Sequence, residues 1–259
     1  MTKHLSIIIP ARNEERRIRD TLLGYGSYFS KRFNTSFEII VVLNNCNDNT
    51  LRVVQECIKK FPQICYLDIP DPIGKGGAIV EGFRIAKGNY LGFVDADLAS
   101  LPQAFDTLIP FLKDYDCVVA SRLVSGAIIK KRQDFSRRLA SRVFNTFVRS
   151  LFPIKIRDTQ CGCKVFRRAA ILRVLPELGI SRWGFDINLL YLLLRNGFSI
   201  KEVPTTWEDI GQSKLRLRRV SLEMFFSTIR LRLLYSPLKF LIYIYDKLPD
   251  SLKLHRRLT

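Results

Sequence analysis

The chain has 259 residues, 47% of them hydrophobic, which is enough apolar material for one large domain or a domain with an appendage and excludes a disordered tail. Its 42 basic against 24 acidic residues leave a net charge of +18, which predicts attraction to polyanions such as nucleic acid, nucleotide phosphates or an anionic membrane surface. The six cysteines (Cys46, Cys57, Cys65, Cys117, Cys161 and Cys163) lack metal-knuckle spacing, so reduced core thiols in a cytosolic setting are expected, with no zinc site and no disulfide.

Leu5 to Ile9 reads as a short buried strand closed by Pro10, after which Asn13-Glu14-Glu15 leads into a charged helix to about Phe29. Phe37 to Leu43 is a second strand. Its tip, Asn44 to Thr50, is rich in side chains that bond backbone and suits the start of a helix from Thr50 to about Phe61. Ile64 to Ile69 is a third strand. A helix from Gly76 to Lys87 opens on Gly74-Lys75-Gly76-Gly77, and the apolar run Tyr90 to Val94 is a fourth strand that ends in Asp95-Ala96-Asp97. Pro102 suits the first turn of a helix, and Cys117 to Ala120 is a fifth strand. Strands alternating with helices at this spacing predict an α/β fold, an open and mainly parallel sheet with helices on both faces.

The pattern changes after Arg122. From Gly126 to Arg157 nine basic residues face one acidic residue, Asp134, and a helix is predicted from Phe135 to Phe152. At 100° per residue, Phe135, Leu139, Val143, Phe144, Phe147, Val148 and Leu151 cover one arc, while Arg138, Arg142 and Arg149 gather opposite. Such a helix suits either a membrane interface or a core-packed position with a solvated basic face. Asp158 to Phe166 reads as a loop running into a short strand, followed by helices from Arg168 to Leu175 and Phe185 to Arg195 and a last strand from Ile200 to Trp207. The tail mixes apolar Leu222, Phe225, Phe226, Ile229, Leu233 and Leu234 with Arg230 and Arg232, breaks at Pro237 and continues as a helix from Leu238 to Tyr245. A main α/β domain over residues 1–220 is therefore expected, with C-terminal interface or oligomerisation helices over 221–259. No charged-then-apolar leader precedes Leu5, and no stretch reaches the roughly 18 to 20 apolar residues of a spanning helix. Any membrane association is expected to be peripheral.

Three strand tips carry side chains suited to a nucleotide diphosphate. Glu14 can accept from a ribose diol, Arg12 can stack on or flank a base, and Asn44 offers an amide to a base edge. Gly74-Lys75 at a helix start offers backbone donors and a point cation to phosphate. Asp95 and Asp97 can share a hard cation, because Mg²⁺ commonly joins one or two carboxylates to substrate phosphates. Taken singly, each also suits a helix cap or a turn.

Together with Pro10-Ala-Arg-Asn-Glu14, Gly74-Lys-Gly76 and Asp95-Ala-Asp97, the segments Ser121-Arg122, Asp158-Thr-Gln-Cys-Gly162, Arg182-Trp-x-Phe-Asp186, Trp207 and Gly211-Gln-Ser-Lys-Leu215 resemble the family-2 inverting nucleotide-sugar glycosyltransferases. More narrowly they resemble the polyprenyl- or dolichyl-phosphate sugar synthases, above all the dolichyl-phosphate β-glucosyltransferase branch. The resemblance implies a Rossmann-like nucleotide-sugar-binding fold with amphipathic interface helices, acting peripherally at the cytoplasmic face of a membrane and with no nucleic-acid partner. It implies transfer of a sugar, glucose from UDP-glucose before mannose from GDP-mannose, with inversion onto dolichyl or polyprenyl phosphate, using Mg²⁺ or Mn²⁺. Pro10, Arg12, Glu14 and Asn44 would line base and ribose; Lys75, Asp95, Ala96 and Asp97 the diphosphate, with Asp95 and Asp97 on the metal. Ser213 and Lys214 would close over the donor, Arg122, Arg137 and Ser141 would grip the lipid phosphate, and Asp97, Arg122 and Lys214 would carry catalysis. The chain departs from relatives at Leu43-Asn44, where many have paired aspartates, and at Ala99, which cannot coordinate where mannose synthases have a glutamine.

A phosphate monoester is mostly dianionic at pH 7, so the acceptor is already a nucleophile and needs no side-chain base. That suits a chain whose two histidines, His4 and His255, lie near its ends. A different acceptor is the main rival. A non-catalytic basic scaffold for membrane or nucleic acid is the other, and a homo-oligomer through the tail is a further expectation.

Overall fold

The structure, a computed structural model, describes residues 3–130, 135–178, 184–208, 217–240, 242 and 247. Strands β1 (Lys3–Ala11), β2 (Phe37–Asn44), β3 (Ile64–Ile69), β4 (Gly88–Phe93) and β5 (Cys117–Ser121) alternate with helices α1 (Ile18–Phe33), α2 (Thr50–Lys60), α3 (Gly74–Ile85) and α4 (Pro102–Asp106). Beyond them lie β6 (Ile128–Ile129), α5 (Phe135–Leu151), β7 (Lys164–Arg167), α6 (Arg168–Val174), α7 (Phe185–Arg195), β8 (Ile200–Pro204), β9 (Thr206–Trp207) and α8 (Leu217–Leu234). Seven strands form one sheet in the order β3-β2-β1-β4-β7-β5-β8, parallel except for β7, which is antiparallel to β4 and β5. The mainly parallel α/β sheet expected from the strand and helix spacing is thus present.

Alternate residues of the central strands feed two cores, as a sheet covered on both faces requires. Leu5, Ile7 and Ile9 of β1 pack with Leu22, Tyr25 and Phe29 of α1, while Ile8 packs with Ile79 and Phe83 of α3 and with Phe93 and Phe166. Strand order runs from β1 outward to β2 and β3 on one side and to β4 on the other. The carboxyl ends of β1 and β4 therefore border a topological switch point, where ligands bind in open α/β sheets.

Several boundaries differ from expectation. β1 runs through Pro10 to Ala11, in register with Leu43. α1 starts only at Ile18, because Glu14 and Glu15 belong to a turn in which the Glu14 carbonyl accepts from Arg17 and Ile18. The expected last strand is two: after Pro204 the Thr205 N–H turns to the Ser121 carbonyl, and β9 pairs with the unforeseen β6. Cys57, Cys117, Cys161 and Cys163 are buried free thiols, but Cys65 is exposed because β3 is an edge strand. On α5, Val148 is buried, while Leu139 and Val143 of the same arc are 50% and 61% exposed. Among the described residues no helix is long and apolar enough to cross a membrane. Of the helix expected from Leu238 to Tyr245, Leu238 and Lys239 fall in a short 3-10 helix (Pro237–Lys239), and residues 241 and 243–245 lie outside the described residues.

Candidate active site

The tips of β1 and β2 are laced together by short polar side chains. Asn13, at φ 55°, accepts from the Asn47 N–H at 2.8 Å, and the Glu14 N–H donates to Thr50 Oγ1 at 2.8 Å. The Asp48 carboxylate accepts from the Thr50 hydroxyl and from the Thr50 and Glu15 N–H groups. Burial pulls its pKa up, but those bonds outweigh burial and leave it below the usual carboxylate range. Asn44, buried at the tip of β2, accepts from the Ile73 N–H at 3.0 Å, which fixes the turn leading into α3.

That turn delivers Lys75. A positive φ of 74° at Gly74 lets the chain enter α3 abruptly, and Lys75 pairs with Asp95 beyond the end of β4. Burial lowers the Lys75 pKa, but the Asp95 charge, then those of Asp186 and Asp97, more than compensate, so it is raised and the ammonium persists across the physiological range. Asp97 accepts from the Ala99 N–H at 3.1 Å, and Arg17 NH1 lies 3.9 Å from its Oδ2. Burial, then the neighbouring Asp95 charge, pushes the Asp97 carboxyl up. Between them the Ala96 carbonyl accepts from Thr21 Oγ1 at 2.8 Å, which anchors the turn to α1.

A cleft of about 600 Å³ opens over these tips, lined by Pro10, Arg12, Glu14, Asn44, Lys75, Asp95, Ala96 and Asp97. Ala11 and Gly74 also line it, and Arg17, Gln160, Asp186, Glu223 and Met224 complete its wall. Sequence reasoning assigned none of these five a role, although Gln160 and Asp186 stand inside motifs it singled out. Arg17 holds Glu14 from both sides, Nε to Oε2 at 2.8 Å and NH2 to Oε1 at 2.7 Å, and its signal was the three-residue spacing from Glu14. Glu223 and Met224 reach the cleft from α8, more than a hundred residues beyond Asp97, where only the tertiary fold brings them together.

Arg122 is outside the cleft lining. At the end of β5 its Nε and NH2 donate to Asp158 Oδ2 and Oδ1 at 2.8 and 2.9 Å, and its guanidinium lies 5.2 Å from the centre of the Trp207 ring. The segment after Asp158 ties this pair to the cleft. Thr159 donates from its N–H and its hydroxyl to Asn145 Oδ1 of α5 at 3.0 and 2.8 Å, Gln160 lines the cleft, and Gly162 lies so close to Asp95 that an added Cβ would overlap Oδ2. Ser141 lies one turn before Asn145, whose Nδ2 donates to the Ser141 carbonyl at 3.0 Å. Arg137 lies on the same helix, with its side chain outside the described residues, as are Ser213 and Lys214.

Asp95 and Asp97 fit a hard divalent cation. Both are carboxylates on the cleft, and the Lys75 ammonium already pairs with Asp95. Among the described residues no third acidic, histidine or cysteine ligand joins them, so such an ion would complete its shell with substrate phosphate and water.

Residues 6–175 match the model of Glycosyl transferase family 2. A dolichyl-phosphate beta-glucosyltransferase of Dictyostelium discoideum is 33% identical over 245 residues, covering 90% of this chain and 75% of that protein. Another, from Homo sapiens, is 31% identical over 227 residues, covering 83% and 70%. Among solved structures, a mannosyltransferase from Pyrobaculum calidifontis in complex with GDP-Man and Mn²⁺ superposes with a TM-score of 0.63 at 16% identity, over 100% of this chain and 69% of its own. A UDP complex of glucosyl-3-phosphoglycerate synthase from Mycobacterium tuberculosis gives 0.67 at 19%, over 89% and 80%. At these identities the two structures speak for the fold.

Proposed function

Because the chain belongs to glycosyltransferase family 2, we propose that it transfers glucose from UDP-glucose to dolichyl phosphate, with inversion, to give a β-linked lipid-phosphate sugar. One observation carries this reading beyond the family: a single cleft is lined at once by Glu14, Asn44, Lys75, Asp95 and Asp97, which come from three neighbouring strand tips and the start of one helix. In it Pro10, Arg12 and Asn44 meet the base, Glu14 meets the ribose, and Lys75 meets the diphosphate. Asp95 and Asp97 hold Mg²⁺ or Mn²⁺, which when bound offsets the charge that develops on the departing diphosphate. Lys75, charged throughout the physiological range, serves the same charge from the α3 side.

The acceptor phosphate is dianionic near neutrality and attacks the anomeric carbon without a base. Its repulsion from the donor is offset by two guanidinium cations, Arg122, fixed by Asp158, and Arg137 of α5, while the Ser141 hydroxyl of α5 donates a hydrogen bond to it. Ser213 and Lys214 close the donor side. The lipid reaches the cleft from a membrane surface against which α5 and α8 rest. Support for this lies in the exposed Leu139, Val143, Phe225 and Phe226 on two helices joined by the Phe147–Phe225 stack, and in the net charge of +18. The experiment that tests the reading offers labelled UDP-glucose or GDP-mannose with dolichyl phosphate and Mg²⁺ or Mn²⁺. Label entering the organic phase from UDP-glucose supports it, and label entering only from GDP-mannose overturns the choice of donor.

A further inference from the structure

Residues 205–208 bridge the end of β5 and the turn that carries Asp95 and Asp97. The Thr205 N–H donates to the Ser121 carbonyl at 3.1 Å, beside Arg122, and the Glu208 N–H donates to the Ala99 carbonyl at 3.2 Å. Ala99 in turn donates its own N–H to Asp97 Oδ1 at 3.1 Å. Between these two fastenings Trp207 bridges to Ser100, pairs with Ile129 of β6 and accepts at its carbonyl from the Lys130 N–H at 3.0 Å. The backbone around Trp207 therefore sets the spacing between Arg122 and the two carboxylates.

The side chain of Trp207 acts at the same place. The Arg122 guanidinium lies over its ring, 5.2 Å from Cζ to the ring centre, within the range at which a cation is attracted to an aromatic face. Asp158 takes Nε and NH2, so the carboxylate holds the guanidinium along one edge and the ring holds it across one face. NH1 has no hydrogen-bond partner among the described residues and keeps its capacity to donate. Burial lowers the Arg122 pKa, but the Asp158 charge and hydrogen bond, with a further contribution from the Asp95 charge, raise it overall. A planar cation restrained in this way has little rotamer freedom left to lose when an anion arrives.

We propose that Trp207 is the positioning residue of the acceptor site: its ring orients the Arg122 guanidinium so that NH1 meets the lipid phosphate, and its backbone keeps that cation at a fixed spacing from Asp95 and Asp97. This rests on the reading above in which Arg122 grips the phosphate of the acceptor.

Steady-state transfer from UDP-glucose to dolichyl phosphate in Mn²⁺ by the full chain, set beside calorimetric titration with UDP, tests it. Trp207→Leu removes the ring and is expected to raise KM for dolichyl phosphate by about tenfold or more while UDP affinity stays within about twofold. Trp207→Phe keeps an aromatic face and is expected to hold KM within about threefold of the wild type. An unchanged KM in the leucine variant, a phenylalanine variant equally impaired, or a parallel loss of UDP affinity overturns the role. A second measurement needs only the conservative variant, because the chain has two tryptophans, Trp183 and Trp207. Farnesyl phosphate, but not farnesol, should change the tryptophan emission of the wild type, and Trp207→Phe should lose most of that change. A full-sized change in the variant, an equal response to farnesol or no response in the wild type overturns the role even where the leucine variant fails to fold. A wild type that transfers no glucose to dolichyl phosphate overturns the acceptor reading itself, and the role of Trp207 with it; transfer that is indifferent to Trp207→Leu overturns Trp207 alone.

Discussion

Arg122 and Asp158 form a two-point pair around a carboxylate that has no solvent exposure. The Arg122 N–H donates to the same carboxylate at 3.0 Å, so the end of β5 and the loop before β7 are tied together at three points. Burial pulls the Asp158 pKa up, but the Arg122 charge and these bonds outweigh it and hold the carboxyl below its usual range. Both oxygens are committed, which leaves Asp158 no part in proton transfer and makes it the support of Arg122.

Asp158→Asn is expected to lower the unfolding free energy by about 3 to 5 kcal/mol, because it strands a largely buried guanidinium. The folded carboxyl has the lower pKa, so the unfolded chain binds the proton more readily. Its contribution is complete above the unfolded value of about 3.9 and is lost as pH falls through the folded value. Urea unfolding of wild type and variant should show a gap at neutral pH that narrows below about pH 4. A gap of equal size in acid would contradict the pairing.

Glu14→Gln is expected to weaken UDP binding by about tenfold or more, because a neutral amide is a poorer acceptor for a ribose diol and a poorer partner for Arg17. The same substitution should change the affinity of a 2′,3′-dideoxy analogue much less. Titration with the two nucleotides separates a ribose contact from a structural role, which would weaken both alike.

Gly162→Ala should cut turnover by about tenfold or more while the chain stays folded, since the added methyl overlaps Asp95 Oδ2 and must displace that carboxylate. Initial rates with saturating donor, set beside a thermal melt, check this. An unchanged rate would mean that the position of Asp95 is not critical.

Leu139→Glu combined with Val143→Glu should abolish sedimentation with anionic vesicles and leave UDP affinity unchanged, because both side chains are exposed on α5 and neither lines the cleft. Persistent vesicle binding would move the membrane contact elsewhere.

Much of the site was legible in the chain because it sits on strand tips. A run such as Tyr90 to Val94 announces a buried strand, and chemistry-bearing residues just beyond it are placed by the fold alone. Glu14, Asn44, Lys75, Asp95 and Asp97 accordingly line one cleft. The misses have another physical character. Lys164 and Asp186 lie 22 positions apart and form a buried pair that no local pattern encodes. Asp158, which fixes the Arg122 guanidinium, is 36 positions away from it, and no local pattern announces that pair. On α5 the apolar arc was visible in the sequence, but which of its residues the core would claim depended on packing: it covers Val148 and leaves Leu139 and Val143 exposed.

The central claim is that two carboxylates beyond β4 and a lipid phosphate serve one transfer. Its most direct measurement is the movement of radiolabelled glucose from UDP-glucose into organic-extractable dolichyl phosphate in Mn²⁺, for the wild type and for Asp95→Ala with Asp97→Ala. Label should enter the organic phase with the wild type and fall by at least about a hundredfold with the double variant, the scale expected when preorganised charge stabilisation is removed. Undiminished transfer by the double variant would contradict the account, as would label that stays in the aqueous phase with the wild type.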